Sequence, residues 1–196
     1  MEFGKNEIRD IIIAAAVLSF AFGGVSGFVG AFIAVGISFL AHELIGHKYI
    51  AQKWFGTEAE FKMWPLGLLL AVLSSFTGII FAAPGAVYFS PIVKKNFAFA
   101  VHRLSKREIG IIGLGGPAVN IILGTIFFLA VYLNPLIPYA GLLALAARIS
   151  FFLTFFNMIP FGPLDGEKVF SWDKRVWAIT MALAVAGYYF LPRILA

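Results

Sequence analysis

The stretch Ala-His-Glu-Leu-Ile-Gly-His, residues 41–47, places two imidazoles and a carboxylate at the end of a long apolar run. No Asp, Glu, Lys or Arg occurs between residues 11 and 42. The whole chain has only 3 histidines, so two of them are concentrated here. Ionisable side chains cost free energy at membrane depth and usually have a function there. We therefore expect this segment to be a membrane helix that carries a functional site.

The composition is that of an integral membrane protein. Hydrophobic residues make up 61% of the 196 residues and charged residues only 13%, whereas soluble domains have about 25% charged residues. The net charge of +5 comes from basic residues that flank apolar segments, which indicates membrane topology and no nucleic-acid partner. The chain has no cysteine, so disulfides and thiolate metal sites are excluded. Any metal must be bound by histidine and carboxylate side chains.

The apolar runs predict an all-α polytopic membrane protein with about five to six transmembrane helices, folded as a single domain over residues 1–196. Glycines 23, 24 and 27 divide the first run, which is too long for one helix. The predicted spans cover residues 9–24, 27–54, 108–133, 138–160 and 174–193.

Residues 66–83 are apolar enough to cross the bilayer but contain Ser-Ser-Phe-Thr-Gly at residues 74–78. If this stretch crosses, the loop lysines and arginines divide almost evenly between the two sides. If it enters the bilayer and returns to the same side, all lysines and arginines outside the spans except Arg193 lie on one side of the membrane. The positive-inside rule favours a re-entrant hairpin, with the N-terminus and the basic loops cytoplasmic. Such a hairpin needs cover from protein or water, so we expect it to line a cavity.

The histidine motif differs by one residue from His-Glu-x-x-His, in which two helical histidines bind zinc and the glutamate is the general base. Residues four apart project about 40° from each other on an α-helix, whereas His42 and His47, five apart, project about 140° from each other. A one-turn π-bulge, which Gly46 makes sterically easy, aligns them. The alternative is a broken site, in which Glu43 and His47 form a weaker metal pair or a hydrogen-bonded couple.

A third metal ligand is available in Asn-Met-Ile-Pro-Phe-Gly-Pro-Leu-Asp-Gly, residues 157–166. Two prolines and two glycines make this segment irregular and present Asp165 from a turn. The re-entrant topology puts Asp165 on the same side as the histidine motif. Asp165 can then complete a His-His-Asp tetrahedron with one position left for water.

Three motifs make the chain resemble the site-2 protease family of intramembrane zinc metalloproteases. They are the His-Glu motif, Gly-Pro-Ala-Val-Asn at residues 116–120, and the 157–166 segment with its Leu-Asp-Gly turn. The resemblance implies a three-helix core at about 27–166 and Asp165 as the third zinc ligand. It also implies that Asn120 lies near the metal and that residues 82–89 form a membrane-associated strand or loop.

These observations predict an intramembrane zinc metalloprotease that cleaves transmembrane proteins or peptides in the lipid bilayer. Zn²⁺ is bound by His42, His47 and Asp165, and Glu43 is the general base. Asn120 or Asn157 donates to the oxyanion. A substrate strand adds to the edge of residues 82–89.

Two alternatives remain at this stage. One is a catalytically inactive homologue that binds membrane proteins. The other is a small transporter or ion pathway, in which intramembrane His, Glu and Asp are also expected.

Overall fold

The structure is a computed structural model that describes residues 1–94 and 101–195. It is predominantly helical, with two short pairs of strands. The helices are α1 (Glu7–Gly23), α2 (Phe28–Leu40), a π-helix (Ala41–Trp54), α3 (Pro65–Ser75), α4 (Lys106–Leu133), α5 (Ala140–Asn157), α6 (Asp165–Trp172) and α7 (Lys174–Leu195). The strands are β1 (Ala59–Met63), β2 (Gly85–Phe89), β3 (Ile92–Lys94) and β4 (Val101–Arg103). β1 pairs with β2 and β3 with β4, both antiparallel.

Three helices of the described part are long and apolar enough to cross a membrane: Phe28–Trp54, Lys106–Leu133 and Ala140–Asn157. They coincide with the second, third and fourth predicted spans, so a helical membrane protein is supported but a count of five to six spans is not confirmed. The predicted break after the first run is present. α1 ends at Gly23, and Gly24 has a φ of 59°, which favours glycine.

The histidine motif lies in a π-helix that continues directly from α2 and runs from Ala41 to Trp54. The predicted local widening is therefore present, but it extends far beyond one turn. Burial explains the extent, because buried residues recur every five positions: 41–43, 46–48 and 51. A π-helix closes its hydrogen bonds over five residues and so keeps these three groups on one side. His42 and His47 consequently face the same way.

The π-helix packs directly against the backbone of α4. A Cβ atom added to Gly46 would lie 2.5 Å from the backbone N of Gly116 and 2.7 Å from the carbonyl carbon of Gly115. Both values are shorter than real Cβ contacts, so only hydrogen fits on this side of residue 46. Small residues allow such close helix approach inside membranes. The contact holds the two histidines against the glycine-rich part of α4.

Residues 64–84 leave the β1–β2 pair and come back to it. Met63 pairs with Gly85 and Ala59 with Phe89, so the segment that contains α3 begins and ends at the same place. α3 has only 11 residues, and a turn at residues 76–78 follows it. Both ends of this segment therefore lie at the sheet, and its re-entrant course in the bilayer stays a prediction. The strand β2 also falls within residues 82–89, where the family resemblance implies one.

The N-terminal turn of α1 covers the outer edge of β1. The Glu7 carboxylate accepts the backbone N–H of Phe61 at 2.9 Å, and the Asp10 carboxylate accepts that of Met63 at 3.2 Å. Glu7 also accepts a hydrogen bond from Lys48 of the π-helix, and both side chains are completely buried. One ion pair thus joins α1, β1 and the helix that carries the histidines.

We expect Lys48→Met to lower the free energy of unfolding by about 3–5 kcal/mol, because Glu7 would keep a buried charge without its counter-charge. The double variant Glu7→Gln, Lys48→Met should recover most of this loss, since the introduced glutamine still offers an oxygen to Phe61 N–H. Thermal unfolding in detergent, followed by circular dichroism, measures the difference. A single variant as stable as the wild type would contradict the buried pair.

Candidate metal centre

Three potential ligands converge between the π-helix and the start of α6. Asp165 Oδ2 lies 3.3 Å from His42 Nε2 and 3.0 Å from His47 Nε2. The ligand atoms of the three residues all lie within 4.8 Å of one another, and all three residues are buried. Two ligands about 2.0–2.1 Å from a tetrahedral zinc ion are about 3.3 Å apart. The spacing from Asp165 to each histidine is therefore that of a zinc coordination sphere.

The far side of each imidazole is held so that Nε2 can bind a metal. His47 Nδ1 donates to the carbonyl oxygen of Ile112 in α4 at 2.8 Å. His42 Nδ1 lies 3.1 Å from the side-chain amide of Asn120, whose oxygen has no partner among the described residues. When that amide turns its oxygen to His42, it accepts the Nδ1 proton. Hydrogen bonds of this kind fix the tautomer of metal-binding histidines.

Unsatisfied atoms and empty space support the fit of a metal. His42 Nε2 and Glu43 Oε2 make no hydrogen bond within the described part of the chain, although both are buried. Buried polar atoms are seldom left without a partner. A Cβ atom on Gly116 would lie 2.6 Å from His42 Nε2, so the missing side chain leaves the space beside both rings open. The donor set and this space fit a zinc ion.

Asp165 is presented by an irregular chain segment and begins α6. Gly162, with a φ of 62°, turns the chain before it. Lys168, one turn later on α6, donates to Asp165 Oδ1 at 2.9 Å and so leaves Oδ2 to face the histidines. Burial disfavours the ionised carboxyl, but the charges of His47 and Lys168 outweigh it and hold the Asp165 pKa well below its usual range. The aspartate is ready to bind a cation.

A cavity of about 210 Å³ opens on one side of this cluster. Glu43, His47 and Asp165 line it together with Asn157 from the end of α5 and the whole of β2. Asn157 donates its side-chain N–H to Leu153 O at 2.9 Å. Asn120 is completely buried on the other side of His42 and is not among the lining residues. The two predicted asparagines therefore occupy different positions relative to the metal ligands.

The edge of β2 that faces the cavity pairs with no further strand in the described part of the chain. Phe61 and Met63 of β1 donate their N–H groups to α1, away from β2. Residues directly opposite each other in an antiparallel pair share this orientation. Their partners Val87 and Gly85 thus direct N–H and C=O away from β1. The Val87 N–H is directed to the Glu43 carboxylate.

One similar protein identifies the family. A Methanocaldococcus jannaschii protein named "Putative zinc metalloprotease" is 36% identical over 194 residues, which cover 95% of this chain and 94% of the relative. The chain belongs to this zinc metalloprotease family. Membership and the His-His-Asp donor set together confirm the predicted zinc cofactor. Neither a family model nor a solved structure matches the chain.

The structure adds residues to the centre that the motif analysis missed. Ile112 contributes only a backbone carbonyl, which no sequence pattern marks. Gly116 was quoted as part of a motif, but its use as open space beside the imidazoles depends on the packing of α4. Lys168 had a detectable signal, because it follows Asp165 by three residues and such pairs meet on a helix.

Gly116→Ala should remove most bound zinc, because its methyl group would occupy the space beside His42 Nε2. Gly36→Ala is the matched control, since a Cβ there meets nothing within 4 Å. Metal content after dialysis, measured by mass spectrometry, gives the comparison. Full zinc occupancy in Gly116→Ala would place the metal elsewhere.

Proposed function

We propose that this protein is an intramembrane zinc metalloprotease that hydrolyses peptide bonds of transmembrane proteins or peptides. The observation that carries the proposal is the meeting of His42, His47 and Asp165 beside a cavity that Glu43 also lines and that has the outer edge of β2 as one wall. Three apolar helices of spanning length support insertion in the bilayer. The site-2 protease resemblance and the re-entrant hairpin support a cytoplasmic position for the site.

Glu43 is the general base and general acid of the proposed reaction. When bound to the three ligands, zinc lowers the pKa of a water molecule to about 7 and polarises the scissile carbonyl. The Glu43 oxygen without a partner takes the proton from the attacking water. Glu43 then returns this proton to the leaving amine. Its position next to His42 on the π-helix fixes it close to the metal ligands.

The two asparagines have separate roles in this proposal. Asn157 lines the cavity and can donate its amide to the oxyanion that forms during attack. Asn120 contacts His42 Nδ1 from the buried side and keeps the Nε2 atom directed at the metal. Asn157 is therefore a catalytic residue, and Asn120 is a positioning residue.

The substrate binds in extended form along β2. A transmembrane helix has its amides engaged in intrahelical hydrogen bonds, so the scissile segment must unwind before attack. The N–H and C=O groups of Gly85 and the C=O group of Val87 provide replacement hydrogen bonds by strand addition, beside the Val87 N–H that is directed to Glu43. Since β2 also lines the cavity, a strand added there brings its carbonyl groups to Glu43 and Asp165.

Glu43→Gln should keep its zinc and lose peptide cleavage by a factor of about 10² or more, which is the usual general-base contribution. Glu58→Gln, an exposed glutamate, serves as the control. Cleavage of a fluorogenic transmembrane peptide in liposomes is the assay, beside zinc analysis of the same samples. Undiminished cleavage by the Glu43 variant would rule out this mechanism.

Val87→Pro should reduce kcat/KM about three- to tenfold, because proline removes the backbone donor that faces Glu43 at the substrate-binding edge. Proline is tolerated at strand edges, so folding and zinc content should be retained. Val87→Ala preserves the N–H group and separates its loss from the change of side chain. Equal kinetics of the two variants would argue against strand addition at β2.

A further inference from the structure

A second cavity, of about 390 Å³, lies between α5, α7 and the end of the re-entrant hairpin. Its lining is largely apolar and aromatic, and it includes Ile79 and Ile80 from the hairpin with Phe152 and Tyr188 from the two helices. Among the described residues that line it, Arg148 alone is charged. The cavity therefore combines an apolar lining with one guanidinium group.

Arg148 has no carboxylate partner within residues 1–94 and 101–195. Its side chain is exposed. The guanidinium makes a cation–π contact with Tyr188, and its carbon lies 5.7 Å from the centroid of that ring. Arg148 lies near the middle of α5, which is one of the three candidate spans. Arginine inside a span normally pairs with an acidic group or lines a functional path. An acidic partner for Arg148 would therefore come from another molecule.

A row of aromatic rings connects this cavity to the metal centre. Trp64, which lines the metal cavity, lies 6.2 Å from Phe81 between ring centroids, and Phe81 lies 5.2 Å from Phe156. Phe156 stacks with Phe152 at 6.2 Å, and Phe152 contacts Tyr188 at 5.4 Å. The row follows the hairpin and α5 from one cavity to the other. The two cavities are therefore coupled through packed rings of the core.

We propose that Arg148 and its cavity bind an acidic side chain within the transmembrane segment of the substrate. This inference rests on the proposed protease function and specifies its substrate class. The acidic residue pairs with the guanidinium, and the apolar remainder of the segment packs on the cavity wall formed by Ile79, Ile80 and Tyr188. The unwound end of the same segment reaches the β2 edge and the metal centre.

The depth of Arg148 distinguishes a protein carboxylate from a lipid headgroup. Arg148 is nine residues from Asn157 along α5, or about 13 Å at about 1.5 Å per residue. α5 has 18 residues, or about 27 Å of helix; where it spans a hydrocarbon core about 30 Å thick, its middle residue Arg148 lies near the midplane, below the level of phosphate groups. The distance from Arg148 to Asn157 corresponds to about four extended or nine helical residues. We therefore expect the acidic residue about four to nine positions from the scissile bond.

The test compares two synthetic transmembrane peptides that differ only in a central Asp or Asn. Zinc-loaded Glu43→Gln protein, labelled with an acceptor dye at Leu136→Cys, is placed in phosphatidylcholine vesicles at pH 8. Leu136 is 94% exposed, and the chain has no other cysteine. Energy transfer from labelled peptide gives the affinity. We expect the Asp peptide to bind about tenfold more tightly, in line with polar contacts between membrane helices.

Arg148→Gln should abolish this preference, and Arg107→Gln, which removes an exposed guanidinium at the start of α4, should retain it. Arg148→Glu should prefer a peptide with Lys in place of Asp. Equal binding of the Asp and Asn peptides to the Arg148-containing protein would overturn the proposal without any variant. Loss of the preference in vesicles containing phosphatidylglycerol would assign the cavity to anionic lipid and overturn it too.

Cleavage of the Asp peptide by the zinc-loaded protein with Glu43 intact is measured separately. Preferential binding without cleavage would support the Arg148 site while contradicting the protease proposal. Cleavage of both peptides at equal rates and with equal affinities would support the protease proposal and contradict the Arg148 site.

Discussion

The contact of Gly46 with Gly115 and Gly116 is the constraint on which the metal centre depends. It brings the backbone of the π-helix against that of α4. At this distance the Ile112 carbonyl reaches His47, the Asn120 amide reaches His42, and the space beside Gly116 lies at both rings. A larger residue at Gly46 or Gly115 would push the two backbones apart, and one at Gly116 would press on both imidazoles. The ligand geometry is thus a result of backbone packing.

The sequence predicted that His42, His47 and Asp165 come together, because these residues stand in motifs whose chemistry demands particular residue types. His42, His47 and Asp165 meet as expected, and the need for a π-helical turn followed from the five-residue separation alone. The extent of the π-helix was missed, although a signal existed. Ala41, Gly46 and Ala51 are small residues with the same five-residue spacing, which continues beyond His47.

Other features depend on tertiary contacts that sequence patterns do not contain. The Ile112 carbonyl is a backbone group, and the free edge of β2 follows from the bonds that β1 makes with Glu7 and Asp10. Charge counting indicated that residues 66–83 return to their starting side, because lysine and arginine report topology. The predicted number of spans is not confirmed, since the apolar run at α1 is only a 17-residue helix and that at α3 is shorter still.

The capped outer edge of β1 also determines how copies of this protein can associate. A two-stranded sheet normally offers two edges, and strand-by-strand growth into a fibre requires both. Glu7 and Asp10 occupy the donors of one edge, so the β1–β2 sheet can accept a strand at β2 and cannot pass the pairing on. Two copies of the protein that pair through their β2 edges form a dimer, and this dimer has no further free edge. The sheet can therefore bind a peptide strand at one edge without supporting polymerisation.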